Sequence, residues 1–422
     1  MDDQPTLAIP LDIPDVRVLR TAQTNDHARI IEVESALTTA MCRRCGRTIT
    51  EFHGYDQPIQ LRHLPLLGSI VYIRLRPKRC RCPSCDDHPT TTQRWSWYVP
   101  KALHTTAYAH HLLMPLVKST IEDVCQQDET SDDVVLGTIE RWVATGIDGE
   151  ALPPCTILGI DEIALKQGHR DYVVMVTARL PTGRLVVLAV LPDRTKATLV
   201  TWLTTLPVPH RRQIRTGCTD MWAAYVTAVR EILRHATIVI DRFPVAKHDR
   251  DGADTLRKQE CKRLRAELPH ETMDQLKPTM WPFRKRPANR DAEEQGRLTR
   301  LFEHTPQLKQ AYDRREQLTT IFDMARAKAE GRRRIHRWQQ AVDTSGLTCF
   351  APFLKLLDTW VDPLANDFRQ RQTSGFVEGL NNKLKGLKRR CFGIYNLRHL
   401  FQRITLALDG DRRFSPWQEA PH

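Results

Sequence analysis

Four short stretches of the sequence place an acidic residue where a metal-dependent reaction on nucleic acid needs one. Three of them put Asp161, Asp220 and Asp241 at the end of apolar, strand-like runs. The fourth puts Glu378 in a segment whose other residues are almost all basic, amide or apolar. Carboxylates gathered in a basic protein indicate Mg²⁺ (or Mn²⁺) ions held against phosphate, because these ions prefer carboxylate oxygens and water.

Such a site suits the cutting and rejoining of phosphodiester bonds. Water or a 3′-hydroxyl attacks in line, and two Mg²⁺ ions about 4 Å apart activate the nucleophile and stabilise the leaving oxygen. Three carboxylates suffice if one of them bridges both ions. We expect Asp161 to be the bridge, with Asp220 holding one ion and Glu378 the other. Asp241 also follows a strand-like run, so spacing alone does not decide between Asp220 and Asp241.

Cysteines near the N-terminus have the spacing of a zinc site. Cys42-x2-Cys45 is followed, after a long excursion, by Cys82-x2-Cys85. Two such pairs fit a tetrahedral Zn²⁺ site with four thiolates, and paired spacing disfavours the alternative of free thiols. Cys80 is an extra candidate ligand, but the tighter spacing favours the pair Cys82 and Cys85.

The composition points to an anionic partner. The chain has 422 residues with a formal net charge of +13, which favours nucleic acid or an anionic membrane surface. The longest apolar runs, such as residues 185–191, fall far short of the roughly 20 residues of a spanning helix. The acidic start MDD does not resemble the basic region of a signal peptide. We therefore expect a cytoplasmic protein with no membrane partner.

The pattern of the first 150 residues predicts two small domains. Alternating runs over residues 1–98 predict strands of a small sheet that carries the zinc site. The helical pattern over residues 99–150 suits a helix-turn-helix region that binds DNA, with a plain helical linker as the alternative. The second helix of this region offers only Arg141 and Thr138 as obvious base-reading side chains.

The rest of the chain predicts a catalytic domain, which makes the whole a multidomain α+β protein. Residues 151–246 give strand and helix signals in the order β-β-β-α-β-α-β, the order of a ribonuclease-H-like mixed sheet. In such a sheet the fourth strand lies beside the first and the fifth lies further out, which favours Asp220 over Asp241. Residues 247–372 are charged and helical in pattern and are interpreted as a helical insertion. Residues 373–410 then supply the C-terminal helix of the core and a basic helix.

The C-terminal segment combines one acid with a field of bases. Val377, Leu380, Leu384 and Leu387 recur at helical spacing and predict an apolar stripe. Glu378 lies on an adjacent face, although a chance glutamate on a surface helix is the alternative. The residues expected to contact DNA are Arg141, Lys383, Lys385, Lys388, Arg389 and Arg390.

These motifs resemble the DDE transposases of bacterial insertion sequences, and most closely the ISL-three-type family. The resemblance covers most of the chain, including GIDE, TDMWAAY, IDRF and, most specifically, FVEGLNNKLKGLKRR. It implies that Asp161, Asp220 and Glu378 form the catalytic triad, and that double-stranded DNA is cleaved at terminal inverted repeats and transferred. By analogy with paired transposon ends, it also implies a homodimer on DNA.

One position departs from the family pattern. The family usually has His three residues after the position of Asp241, where this chain has Pro244, and His248 lies one helical turn further on. A catalytically inactive, zinc-containing DNA-binding protein derived from a transposase is therefore an alternative, and a metal-dependent nuclease without strand transfer is another. The intact acids Asp161, Asp220 and Glu378 favour an active transposase.

Overall fold

The computed structural model describes most of the chain in two compact units. The described residues are 11, 13–148, 152–164, 172–240, 242–370, 379, 383–384, 386–387 and 396–415. One unit comprises Met1–Ala144 with Thr405–His422, and the other comprises Thr145–Ile404. Several predicted site residues lie outside the described residues, namely Asp241, Glu378, Lys385, Lys388, Arg389 and Arg390.

The first unit begins with small sheets. Its strands are β1 (Val16–Gln23), β2 (Arg29–Ser35), β3 (Ala40–Met41), β4 (Thr48–Ile49), β5 (Glu51–Tyr55), β6 (Ile59–Leu66), β7 (Ser69–Leu75), β8 (Lys78–Arg81) and β9 (Thr90–Thr92). One sheet has the order β1-β2-β7-β6, in which only the central pair β2–β7 is parallel. Side chains alternate between the faces of a strand, so Leu61, Ile73 and Leu75 are buried on one face, where Trp95 and Trp97 cover them.

The cysteine pairs lie in the turns of two antiparallel hairpins. Strands β3 and β4 pair directly, and the turn between them contains Cys42 and Cys45. Strands β8 and β9 pair at the edge of the sheet β5-β8-β9, and their connection contains Cys82 and Cys85. A left-handed φ of 70° at Gly46 closes the first turn, a conformation that glycine adopts without steric cost.

Three helices follow in the first unit. They are α1 (Thr106–Leu113), α2 (Ile121–Gln127) and α3 (Asp132–Trp142). A capping box between Thr120 and Asp123 fixes the start of α2. The helices enclose an apolar core of Tyr108, Leu112 and Val135, so they pack as a cluster and do not form an extended linker.

The second unit is built on a mixed five-stranded sheet. Its strands are β10 (Ile157–Ala164), β11 (Tyr172–Arg179), β12 (Leu185–Leu191), β13 (Thr216–Thr219) and β14 (Thr237–Ile240), in the spatial order β12-β11-β10-β13-β14. The first three are antiparallel neighbours, whereas β13 is parallel to both β10 and β14. The fourth strand of this sheet thus lies beside the first and the fifth lies further out, as predicted.

Helices flank this sheet, and one of them approaches it closely. They are α4 (Lys196–Thr205), α5 (Val208–Gln213), which the sequence pattern did not predict, and α6 (Ala223–Ile232). A Cβ atom added to Gly217 of β13 would lie 3.1 Å from a methyl group of Val229 on α6. The absence of a side chain at Gly217 therefore lets α6 pack directly against β13.

All but the last of the remaining helices share a continuous apolar core with the sheet. The last one contributes Leu406 and Phe414 to the core of the helices in the first unit. The remaining helices are α7 (Arg242–Glu267), α8 (His270–Gln275), α9 (Met280–Arg284), α10 (Ala292–His304), α11 (Pro306–Met324), α12 (Lys328–Thr344), α13 (Ala351–Ala365), α14 (Asp367–Gln370) and α15 (Leu397–Phe414). The segment predicted as a helical insertion is helical, and its first helix already begins at Arg242. The Asn366 side chain donates a 2.7 Å hydrogen bond to the carbonyl of Ile238 in β14, next to α13. Within the described ranges, no helix is both long and apolar enough to span a bilayer.

Candidate active site and metal centre

The two cysteine pairs converge on one point. The Sγ atoms of Cys42, Cys45, Cys82 and Cys85 all lie within 4.8 Å of one another. The distances are 3.7 Å for Cys45 to Cys82, 3.7 Å for Cys82 to Cys85 and 4.0 Å for Cys42 to Cys85. Zn–S bonds of about 2.3 Å in a tetrahedron place the sulfur atoms about 3.8 Å apart. The four thiols therefore fit a structural zinc ion.

The surroundings of the hairpin turns also shift the pKa values of these thiols. Backbone N–H groups of Cys45 and Arg44 donate toward Cys42 and lower the pKa of its thiol to about 6. Burial raises the pKa of Cys85 to about 12, and the neighbouring sulfur atoms act in the same direction. A bound cation holds such groups as thiolates and releases their protons. Cys80 is only 2% exposed but does not belong to the converging set.

Asp161 and Asp220 come from neighbouring parallel strands. The last paired residues of β10 and β13 are Ile160 and Thr219, and each aspartate directly follows one of them. Neighbouring strands lie about 4.8 Å apart, so the two aspartates lie side by side where the pairing of β10 with β13 ends. Asp161 does not end its own strand, contrary to expectation. Strand β10 continues to Ala164 because its antiparallel partner β11 extends the ladder beyond the end of β13.

A polar network surrounds Glu162, the residue after Asp161. The Tyr225 hydroxyl on α6 donates a 2.8 Å hydrogen bond to one carboxylate oxygen of Glu162, and Arg194 lies 3.5 Å from the other. The guanidinium of Arg194 stacks 4.6 Å from the ring of Trp222. The backbone N–H of Glu162 donates to the Asp161 carboxylate at 2.6 Å. These contacts link β10 to α6 directly beside the two aspartates.

Tyr225 acts in this network as a hydrogen-bond donor. Burial raises the pKa of its hydroxyl well above the ordinary value, and the adjacent Glu162 raises it further. Tyr225 therefore stays protonated near neutral pH. The pair was not predicted from the sequence, although Glu162 and Tyr225 stand in the two motifs that also carry the aspartates. Arg194 follows β12, and no local pattern in the sequence predicts its contact with Glu162.

The third predicted acid, Glu378, lies outside the described residues, but some of its neighbours are described. Leu384 and Leu387 are helical and buried, whereas Lys383 is helical and exposed. This division agrees with the predicted apolar stripe. Arg403, another base of the C-terminal segment, is only 1% exposed and cannot contact a DNA backbone from that position.

The helix predicted to read bases, α3, has few exposed side chains that could contact DNA bases. Arg141 is exposed in the last turn of α3, whereas the first turn carries the exposed acids Asp132 and Asp133. The interpretation of Thr138 as a base-reading residue is wrong. It is 1% exposed, and its hydroxyl donates to the carbonyl of Val134 at 2.7 Å.

The departure at Pro244 falls in the first turn of α7, which begins at Arg242. Proline is tolerated there because the first N–H groups of a helix have no intrahelical partner. His248 is exposed on the same helix, one turn further on.

Known transposases are similar to this chain over most of its length. A family model described as a transposase, that of the ISL3-type DDE transposases, matches residues 158–404. The transposase for insertion sequence element IS1001 of Bordetella parapertussis is 25% identical over 374 residues, covering 88% of this chain and 90% of the relative. The transposase for IS1557 of Mycobacterium tuberculosis is 24% identical over 414 residues, covering 93% and 91% respectively.

The sulfur cluster leads to a prediction on metal content. Purified protein should contain one zinc ion per chain, measured by elemental analysis. Cys42→Ser should lose it and unfold the N-terminal sheets, because zinc binding contributes on the order of 10 kcal/mol to the folding of such sites. Cys80→Ser, which changes a buried sulfur outside the set, should keep the ion. Folded wild-type protein without zinc would contradict the assignment.

The Glu162 network leads to a prediction on stability. Tyr225→Phe removes the donor to a partly buried carboxylate, and hydrogen bonds to charged groups contribute about 1.5–3 kcal/mol. The free energy of unfolding, measured with urea, should fall by roughly that amount. Thr227→Ala on the same helix removes only an exposed hydroxyl that donates to the carbonyl of Ala223, and should have little effect. Equal stability of Tyr225→Phe and wild type would argue against the network.

Proposed function

The chain belongs to the ISL3-type family of DDE transposases, and from this premise we propose that it cleaves the terminal inverted repeats of an insertion sequence and transfers the cut strands. We propose Asp161, Asp220 and Glu378 as the catalytic acids. Two Mg²⁺ or Mn²⁺ ions, when bound, activate the attacking oxygen and stabilise the leaving oxygen. The chain's own part is to hold three carboxylates in place and to bind the DNA on either side of them.

One observation carries this proposal: the parallel register of Ile160 with Thr219. It sets the following residues, Asp161 and Asp220, side by side at the edge where β13 ends. Two carboxylates that share an edge repel each other unless a cation or a proton lies between them. Oxygen ligands in this arrangement are those that Mg²⁺ prefers, so the residues present fit the ion.

The strand order supports a ribonuclease-H-like assignment of the sheet. In that assignment the third acid comes from a helix that packs near the edge of β10 and β13, which is the role we propose for Glu378. Asp241 follows β14, which is separated from β10 by β13. Asp220 is therefore the better candidate for the second metal ligand.

We propose that residues of each unit contact DNA. The formal charge of +13 supplies a general attraction to phosphate. We propose a zinc-stabilised N-terminal domain, a homodimer that pairs two element ends, and action in the bacterial cytoplasm. The proposed division is a zinc domain at 1–98, a helix-turn-helix region at 99–150, the core at 151–246 and 373–410, and a helical insertion at 247–372. The proposed DNA contacts are Arg141, Lys383, Lys385, Lys388, Arg389 and Arg390.

Replacing Glu378 tests the catalytic proposal. Glu378→Gln keeps the shape of the side chain but removes the charge that would hold a cation. Cleavage of DNA that carries the element's own ends should fall at least about a thousandfold with Mg²⁺ present, while DNA binding stays near the wild-type value. Lys385→Ala should do the reverse, with weaker DNA binding and intact metal affinity.

The same assay separates the competing functions. A wild-type protein that binds the ends but never cuts them with Mg²⁺ or Mn²⁺ would indicate an inactive derivative of a transposase. Cutting without strand transfer would indicate a nuclease. Retained cleavage by Glu378→Gln would contradict the assignment of the third acid.

Binding to DNA should depend steeply on salt. Phosphate neutralisation releases counterions, so the affinity should fall at least about a hundredfold between 50 and 200 mM salt. Lys383→Ala, at an exposed lysine, should lower the slope of log affinity against log salt by about 1. Lys355 is an exposed lysine on α13, and the control variant Lys355→Ala should leave this slope unchanged. An affinity that hardly changes over this range would contradict a phosphate-dominated interface.

A further inference from the structure

A cavity lies among the helices of the second unit, and the proposed strand transfer does not use it. It has a volume of about 230 Å³ and is lined by Asp249 and Arg250 of α7, by Arg315, Leu318 and Phe322 of α11, and by residues around the end of α9. We call it the α7–α11 cavity. One water needs only about 10–15 Å³, and sites for drug-sized ligands start near 300 Å³. The cavity thus has room for one planar ring system.

Asp249 is a buried carboxyl group without a partner. It is only 3% exposed, and its Oδ1 has no hydrogen-bond partner. Among the described residues, no cation lies close enough to form an ion pair with it. Burial raises the pKa of Asp249 to about 7, against the opposing effect of Arg315 and Arg250. A buried acceptor left without a donor destabilises the fold, so its presence calls for a ligand.

Arg315 supplies a complementary donor on the opposite helix. It is 6% exposed, and its Nη2 donates to Glu316 at 2.8 Å. Its guanidinium lies 5.0 Å from the ring of Phe283 and 4.9 Å from that of Tyr312, which fix its plane. Its Nη1 is buried without a hydrogen-bond partner. The cavity therefore combines an unused acceptor, an unused donor and two apolar side chains, Leu318 and Phe322.

We propose that the α7–α11 cavity binds a nucleobase, and that guanine fits it best. A charged phosphate would meet the Asp249 carboxylate, whereas a base offers donors and acceptors on one edge. Guanine carries two adjacent donors, N1–H and N2–H, beside the acceptor O6. The donors suit both oxygens of Asp249, and O6 suits Nη1 of Arg315. Leu318 and Phe322 supply the apolar surface on which bases pack.

The mouth of the cavity indicates where the rest of the nucleotide would lie. Arg286 at the mouth is already paired with Asp323 at 3.2 Å. Arg250 is exposed, and no described acid lies within ion-pair distance of it. Arg250, which lines the same cavity, is therefore the proposed partner for the phosphate of the bound nucleotide. Both a guanine within a DNA strand and a free guanine nucleotide satisfy this chemistry.

Binding of short single strands to the full-length protein without Mg²⁺ tests the proposal, and needs no cleavage. Labelled dT15 with one central dG should bind on the order of tenfold more tightly than all-dT or dT15 with one dA, as one well-placed base contact set provides. Guanosine monophosphate is the second probe. A dG preference assigns the site to DNA, whereas binding of the mononucleotide without a dG preference assigns it to a free nucleotide. Absence of both overturns the proposal.

Variants tie the effect to the cavity. Asp249→Leu removes the acceptor, and Asp249→Asn, which is nearly isosteric, leaves only one acceptor oxygen. Both should lose the preference for dG and bind all-dT as the wild type does, with thermal unfolding as the check on folding. Asp313→Asn, on α11 but outside the lining of the cavity and paired with Lys309, should keep the preference. A full dG preference in the two Asp249 variants would also overturn the assignment. Because only binding is measured, failure here leaves the proposed strand transfer untouched.

Discussion

The parallel pairing of β10 with β13 is the constraint on which the proposed active site depends. It joins segments that are about 60 residues apart in sequence, and its register sets Asp161 and Asp220 side by side. Like charges in this position are unfavourable by themselves, so the surrounding structure must hold the ladder in place. The close approach of α6 at Gly217 and the hydrogen bond from Tyr225 to Glu162 do this from one face.

The proposed zinc site also joins segments that are distant in sequence, here through four cysteine ligands. The sheets of the first unit are small and surround little apolar core, so an ion bound between the two hairpin turns would add stability that packing alone does not supply. Three of the sulfur–sulfur distances, at 3.7–4.0 Å, match those of a tetrahedral zinc site, and all four sulfur atoms lie within 4.8 Å of one another. Both proposed metal centres therefore take ligands from distant segments, and backbone pairing or tight turns determine their positions.

Periodicity predicted the strands of the second sheet, and motif spacing predicted the cysteine set, because both depend on local patterns. The order of that sheet was expected only from the likeness of its elements to a ribonuclease-H-like sheet, and several short strands around the cysteines were not predicted. The incorrect predictions concern features that depend on contacts with other elements of the fold. Asp161 does not end its strand, since β11 extends the ladder, and a pattern within one strand cannot reveal that. Thr138 is buried because the stripe of α3 that packs inward includes it. The juxtaposition of Asp249 with Arg315 follows from the packing of two helices far apart in sequence.

In the proposed active site, Asp161 and Asp220 share a bound cation with Glu378. Fe²⁺ bound in place of Mg²⁺, with ascorbate and peroxide, cuts a protein backbone next to the residues that hold it, and the fragments can be mapped by mass spectrometry. We predict cuts beside residues 161, 220 and 378 in the same reaction, suppressed together by excess Mg²⁺. Cuts beside residue 241 in place of 220, or none beside 378, would contradict the proposed site.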